Sequence, residues 1–119
     1  MIQEIIDIEK IDLLNKSLDM KNGGRRLAQI CATKSAALVL LYSFVKEDRF
    51  TTLRFTIDAG EPVESISWLY PYAFLYENEL KDLFGINILN MNIDFGGKFY
   101  QTAQKNPFTA DEGGAKSDG

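Results

Sequence analysis

Apolar and polar positions repeat on two periods along the chain, and the switches between them mark the elements. Ile2 to Met20 reads as a short extended lead followed by a helix, because Ile11, Leu14 and Leu18 recur at helical spacing with Leu13 and Met20 beside them. Asn22-Gly23-Gly24 ends that helix, since glycine readily takes the left-handed conformation that closes helices. Arg26 to Thr33 reads as a strand. Ala36 to Val45 reads as another, with Leu38, Leu40, Tyr42 and Phe44 on one face and Val39, Leu41, Ser43 and Val45 on the other. Both faces are mainly apolar, which predicts a central strand covered on both sides. Lys46-Glu47-Asp48-Arg49 is polar and suits a hairpin loop. Phe50 to Asp58 alternates cleanly, with Thr51, Leu53, Phe55 and Ile57 on one face and Thr52, Arg54, Thr56 and Asp58 on the other.

Ala59-Gly60-Glu61-Pro62 breaks this strand, and Ser65 to Tyr70 leads into a second helix. Pro71 suits a first helical turn, where its missing N–H costs nothing. Tyr72, Tyr76, Leu80, Leu83 and Phe84 form an apolar stripe, Glu77 and Lys81 form a favourable i,i+4 pair, and Gly85 closes the helix. Ile86 to Phe95 alternates only in part, and Gly96-Gly97 turns either a hairpin or an extended arm. Ala110 to Gly119 contains no Val, Ile, Leu, Phe, Tyr or Trp, so burial cannot offset the entropy of ordering it, and a flexible tail is expected. The predicted organisation is a single α+β domain over 1–90, an extended arm over 91–109 and a tail over 110–119. Within the domain, two layers are expected, with helices packed on one face of a mainly antiparallel or mixed sheet.

Composition narrows the chemistry. The 119 residues, 45% hydrophobic and 25% charged, suit one soluble domain. There is no His, which removes the commonest general base and every Ser-His or Cys-His dyad. The single cysteine, Cys31, cannot close an intrachain disulfide or hold an iron–sulfur cluster, and its place in a strand predicts an inert core thiol. No apolar run reaches the roughly 18–20 residues a membrane-spanning helix needs. Met1-Ile2-Gln3-Glu4 lacks the basic start and apolar stretch of a signal peptide, so a cytoplasmic chain is expected. The net charge of −4 argues against a nucleic-acid partner. The one basic knot, Lys21, Arg25 and Arg26 beside Gly23-Gly24, reads as a solvated turn.

Neither Gly23-Gly24 nor Gly96-Gly97 has the spacing or the following Lys-Ser/Thr of a phosphate-binding loop. Glu77 and Glu79 point about 200° apart on a helix and cannot act as one carboxylate pair. Glu79 and Asp82 share a face and repel each other, so they require a cation from Arg49, Arg54 or Lys98, or from another chain. Two carboxylates fall short of the oxygen ligands that Mg²⁺ or Ca²⁺ sites use. No metal site, cofactor site or catalytic constellation is expected in this chain.

Ser65-Ile66, Tyr70-Pro71-Tyr72-Ala73-Phe74, Tyr76-Glu77-Asn78-Glu79-Leu80 and Asp82-Leu83-Phe84-Gly85-Ile86 together resemble the signature of the 30 kDa subunit family of respiratory NADH dehydrogenase, an aromatic–Glu–polar–Glu helix followed by Asp–aliphatic–aromatic–Gly. In the quinone-reducing branch of that family a Gly-His-Pro turn and a Leu-Arg-Arg run follow. Here Asn87-Ile88-Leu89-Asn90-Met91-Asn92 follows, with neither His nor Pro. The continuation Ile93-Asp94-Phe95-Gly96-Gly97-Lys98-Phe99-Tyr100, with Lys105-Asn106-Pro107-Phe108 beyond, is similar to the short subunit of energy-converting nickel–iron hydrogenases.

The resemblance implies a subunit of the cytoplasmic arm of a membrane-bound redox complex, peripheral on the inner face of the membrane and touching it only through partners. It implies no cofactor in this chain. The nickel–iron centre would lie in the large catalytic subunit on which the chain docks, and the iron–sulfur clusters in small neighbouring subunits. Tyr76, Leu80, Leu83 and Phe84 would be buried against the sheet and Gly85 would close the helix, while Glu77, Asn78, Glu79 and Asp82 would pin the helix end and the loop after it, or meet cations on the large subunit. Phe95, Phe99, Tyr100 and Phe108 would fill pockets on the partner as the arm pairs with it, or belong to an ordinary core. The alternatives are the equivalent 30 kDa subunit of an NADH:quinone oxidoreductase and a stand-alone acidic protein-binding module.

Overall fold

The computed structural model describes residues 2–93. Ile2–Asp7 forms β1, and after one turn of 3-10 helix Leu13–Asn22 forms α1. Arg26–Lys34 is β2, Leu38–Lys46 is β3 and Arg49–Ile57 is β4. The short strand Val63–Glu64 is β5, Ala73–Phe84 is α2 and Ile88–Leu89 is β6. The main sheet has the order β1-β4-β3-β2. β3 pairs antiparallel with β2 and β4, while β1 runs parallel to β4 from Ile2↔Arg49 to Asp7↔Arg54, so the sheet is mixed. The extended lead expected at the N-terminus is thus a full edge strand. The partial alternation after α2 resolves into β6, which pairs parallel with β5 through Val63↔Ile88.

The core lies on one face of the main sheet. Leu38, Leu40, Tyr42 and Phe44 of β3, Leu53, Phe55 and Ile57 of β4 and Ile30 of β2 are buried there with Leu13, Ala73, Leu80 and Ile66 of the second layer. Tyr42 stacks on Phe55, and Phe44 meets Tyr70 at a ring separation of 5.5 Å. This is the α+β, two-layer arrangement that the patterning predicts. On the other face of β3, Ser43 and Val45 are buried but Val39 and Leu41 are only half-buried. Among the described residues both helices lie on the core side, so the expected cover on the second face is absent there. Cys31 is paired with Leu41 on that face and is half-exposed rather than in the core.

α1 presents a different face from the one the apolar spacing predicts, and α2 buries only part of its predicted stripe, Leu80 with Tyr76 and Phe84 packed on the core. On α1, Leu13 and Ser17 are buried and Met20 half-buried, an i, i+4, i+7 set, while Ile11, Leu14 and Leu18 face solvent. On α2 the buried arc runs through Ala73, Glu77 and Leu80, with Phe84 half-buried. Tyr72 and Leu83 lie roughly 100° from its centre and are 77% and 53% exposed.

Candidate functional site

α2 starts after a turn at Tyr70–Tyr72 and ends on Gly85, whose φ of 67° is left-handed and whose N–H donates to the Lys81 carbonyl. Between these ends one helical turn carries Tyr76, Glu77, Asn78 and Glu79. The Tyr76 hydroxyl donates to the Ala28 carbonyl at 3.0 Å, where the β2–β3 register shifts between Leu27 and Gln29 and frees that oxygen from the ladder.

Glu77 is fully buried. Its Oε1 accepts a hydrogen bond from Ser65 Oγ at 2.7 Å and its Oε2 accepts one from the Ile66 N–H at 2.8 Å. The single Ser65 hydroxyl proton is thereby committed, so Ser67 Oγ donates to Ser65 Oγ at 2.7 Å. Ser67 Oγ in turn accepts the Asn92 N–H at 2.9 Å. The buried neighbour Asn78 donates from Nδ2 to the carbonyls of Phe74 and Ile93. Trp68 Nε1 donates to the Asn90 carbonyl at 2.7 Å, and Asn90 Nδ2 donates to Glu64 Oε2. Glu77 and Asn78 therefore latch Ser65 and Ile66 before the helix and Ile93 after it, Ser67 links the two stretches through Asn92, and the β5–β6 bridge ties the neighbouring residues 63–64 and 88–89.

Burial pushes the Glu77 carboxyl up to about 7, against the opposing pull of its hydrogen bonds from Ser65 and Ile66. The buried Tyr42 hydroxyl has no hydrogen-bond partner among the described residues, and burial, then the Glu77 charge, raises its pKa well above the usual tyrosine value.

The expected Glu77–Lys81 surface pair is not formed, because the Glu77 side chain turns inward to the 65–66 backbone. Arg54, one of the cations expected for Glu79 and Asp82, lies on the other face of the sheet and pairs with Asp7 at 2.7 Å. Glu79 and Asp82 are half-buried, and they project with Tyr72, Leu75 and Leu83 from the outer face of α2. Phe84 packs on the core. Phe95, Phe99, Tyr100 and Phe108 lie outside the described residues, as do the arm from residue 94 onward and the tail. Ser67, Trp68 and Asn92 belong to the latch although no sequence pattern singles them out. The available signal is a Ser-x-Ser ahead of a helix that carries a glutamate. Among the described residues no group of three or more Cys, Asp or Glu is placed to hold a metal ion.

Residues 6–93, which contain the latch and all of α2, match the family described as respiratory-chain NADH dehydrogenase, 30 Kd subunit. The chain belongs to this family. Members of the 30 Kd subunit family are components of multisubunit respiratory oxidoreductase complexes. The fold is also that of a chain in the membrane-bound sulfane sulfur reductase, an archaeal respiratory membrane complex, with a TM-score of 0.73 at 16% identity. That likeness covers 81% of this chain and 62% of the other. A comparison with curated proteins finds no sequence match. No helix among the described residues is long and apolar enough to cross a membrane.

Proposed function

We propose that this 30 Kd-family chain is a non-catalytic assembly subunit of a membrane-bound redox complex of the energy-converting nickel–iron hydrogenase type. It docks on the large catalytic subunit and the small cluster-bearing subunits on the cytoplasmic side, and reaches the membrane only through them. Nickel–iron and iron–sulfur centres belong to those partners, since a chain with no His and one Cys offers no ligand set for them. The observation that carries this reading is that the family motif is spent on shape. Glu77 and Asn78 are buried and committed to the Ser65 hydroxyl, the Ile66 N–H and the Phe74 and Ile93 carbonyls, which leaves the outer face of α2 for a neighbour. The hydrogenase branch is supported by the sequence after Gly85, which lacks the His-Pro turn of the quinone-reducing branch.

Affinity purification of the tagged full chain from membranes of its own host tests the proposal. The expected companions are a large subunit with two Cys-x-x-Cys pairs and small iron–sulfur subunits. Recovery of quinone-reductase subunits would move the chain to that branch, and recovery of no redox subunit would sink the reading. Glu79→Ala is expected to lower recovery of the complex while the chain keeps its circular dichroism spectrum.

A further inference from the structure

A groove of about 490 Å³ separates the end of α1 from the start of α2. One wall is cationic, made by Lys21, Arg25 and Arg26, and the other is apolar and aromatic, made by Tyr72, Leu75 and Tyr76. Among the described residues no carboxylate lines it, on a chain whose net charge is −4. The backbone that carries the cationic wall is set before anything enters. The Tyr70 hydroxyl donates to the Arg25 carbonyl at 2.7 Å, Lys46 Nζ donates to the Gly23 carbonyl at 2.9 Å, and the Arg25 N–H donates to the Met20 carbonyl. Arg25 Nη1 is shielded from solvent yet has no acceptor among the described residues. The exposed side chains of Leu18 and Leu14 continue the apolar surface one and two turns back along α1 from Lys21.

We propose that this groove is the docking site for an acidic segment of a neighbouring subunit. The segment's carboxylates meet Lys21, Arg25 and Arg26, and one apolar side chain lies against Tyr72, Leu75 and Tyr76. The charge argument selects the occupant. A basic or neutral segment would leave three clustered cations uncompensated on closure, whereas an acidic one is steered in and held by charge-assisted hydrogen bonds. A backbone already held by hydrogen bonds loses little freedom on binding, which favours affinity. The inference rests on the reading of the chain as a complex subunit.

The test uses the full-length chain in its own host, with a photo-reactive benzoylphenylalanine at position 72, irradiated in native membranes and mapped by mass spectrometry. The expected product is a crosslink to a partner peptide rich in Asp and Glu around an apolar residue. The double variant Lys21→Glu, Arg26→Glu should cut its yield about tenfold, and raised salt should cut it further, while Lys16→Glu leaves it unchanged. All three substituted residues are exposed, so matching melting curves are expected to show an intact fold. A crosslink to residues 94–119 of the same chain, to a second copy, to lipid or to a segment without acidic residues overturns the proposal, as does a yield insensitive to the double variant. If redox subunits co-purify but position 72 captures none of them, the groove assignment falls and the subunit reading stands. If no redox subunit co-purifies, the subunit reading itself falls.

Discussion

Glu77 combines full burial with two hydrogen bonds that favour its charged form, and burial wins, raising its pKa from an ordinary 4.5 to about 7. Between those values the folded chain binds a proton that the unfolded chain has released. Stability from this group is therefore complete below about pH 4.5 and is lost as pH rises towards 7, by up to about 1.4 kcal/mol per pH unit and on the order of 3 kcal/mol in all. Denaturant titrations should show that decline, and Glu77→Gln, which keeps an acceptor for Ile66, should flatten it. Glu77→Ala at pH 5 should cost on the order of 2–4 kcal/mol, because the Ser65 hydroxyl and the Ile66 N–H lose their acceptor in a buried place. The sequence marks Glu77 and Asn78 as motif residues but does not show which way they point. An i,i+4 lysine makes the surface pair the natural expectation, and only the 65–67 backbone packed beneath the helix reverses it. That Glu79 and Asp82 share a face is legible, since helical spacing alone fixes it.

At the scale of elements, strands are easier to read than helix faces. The alternation of Phe50 to Asp58 and the two apolar faces of Ala36 to Val45 mark β4 and β3 with close bounds, because a period of two admits only two orientations. A helix admits a continuous range, so small or polar residues at close approaches shift the buried arc without leaving a hydrophobic trace. Ser17 is such a residue, buried with no partner for its hydroxyl among the described residues. Ser17→Ala should be neutral or stabilising by up to about 1 kcal/mol, whereas Ser17→Leu should overpack the buried face of α1 and cost about 1–3 kcal/mol, both readable from urea midpoints. The β3–β4 turn places Glu47 at φ 57°, a conformation that suits glycine. Glu47→Gly should raise stability by about 0.5–1 kcal/mol.

Across the whole molecule the carboxylates divide by environment. Asp7 is held below its ordinary value by its hydrogen bond to Arg54, and Glu61 by the Asp58 N–H and then Lys10. Their contributions are present above their ordinary values of 3.8 and 4.5 and are lost as pH falls through the depressed ones, while that of Glu77 is lost as pH rises. Thermal melting across pH should therefore peak on the mildly acidic side of neutrality. Glu77→Gln should shift the peak upward in pH. The parallel placement of β1 is not legible from Ile2 to Asp7, because pairing partners distant in sequence leave no local signal.

That placement separates the order of synthesis from the order of assembly. β1 leaves the ribosome before β2, β3 and β4, yet its ladder partner, β4, is made after both β2 and β3. The amide of Ile2 must even wait for the Asp48 carbonyl. A nascent chain halted before Arg49 therefore holds Ile2, Ile5 and Ile6 on backbone whose ladder partner does not yet exist. The leading strand stays open to any stray edge it meets until the hairpin behind it has closed.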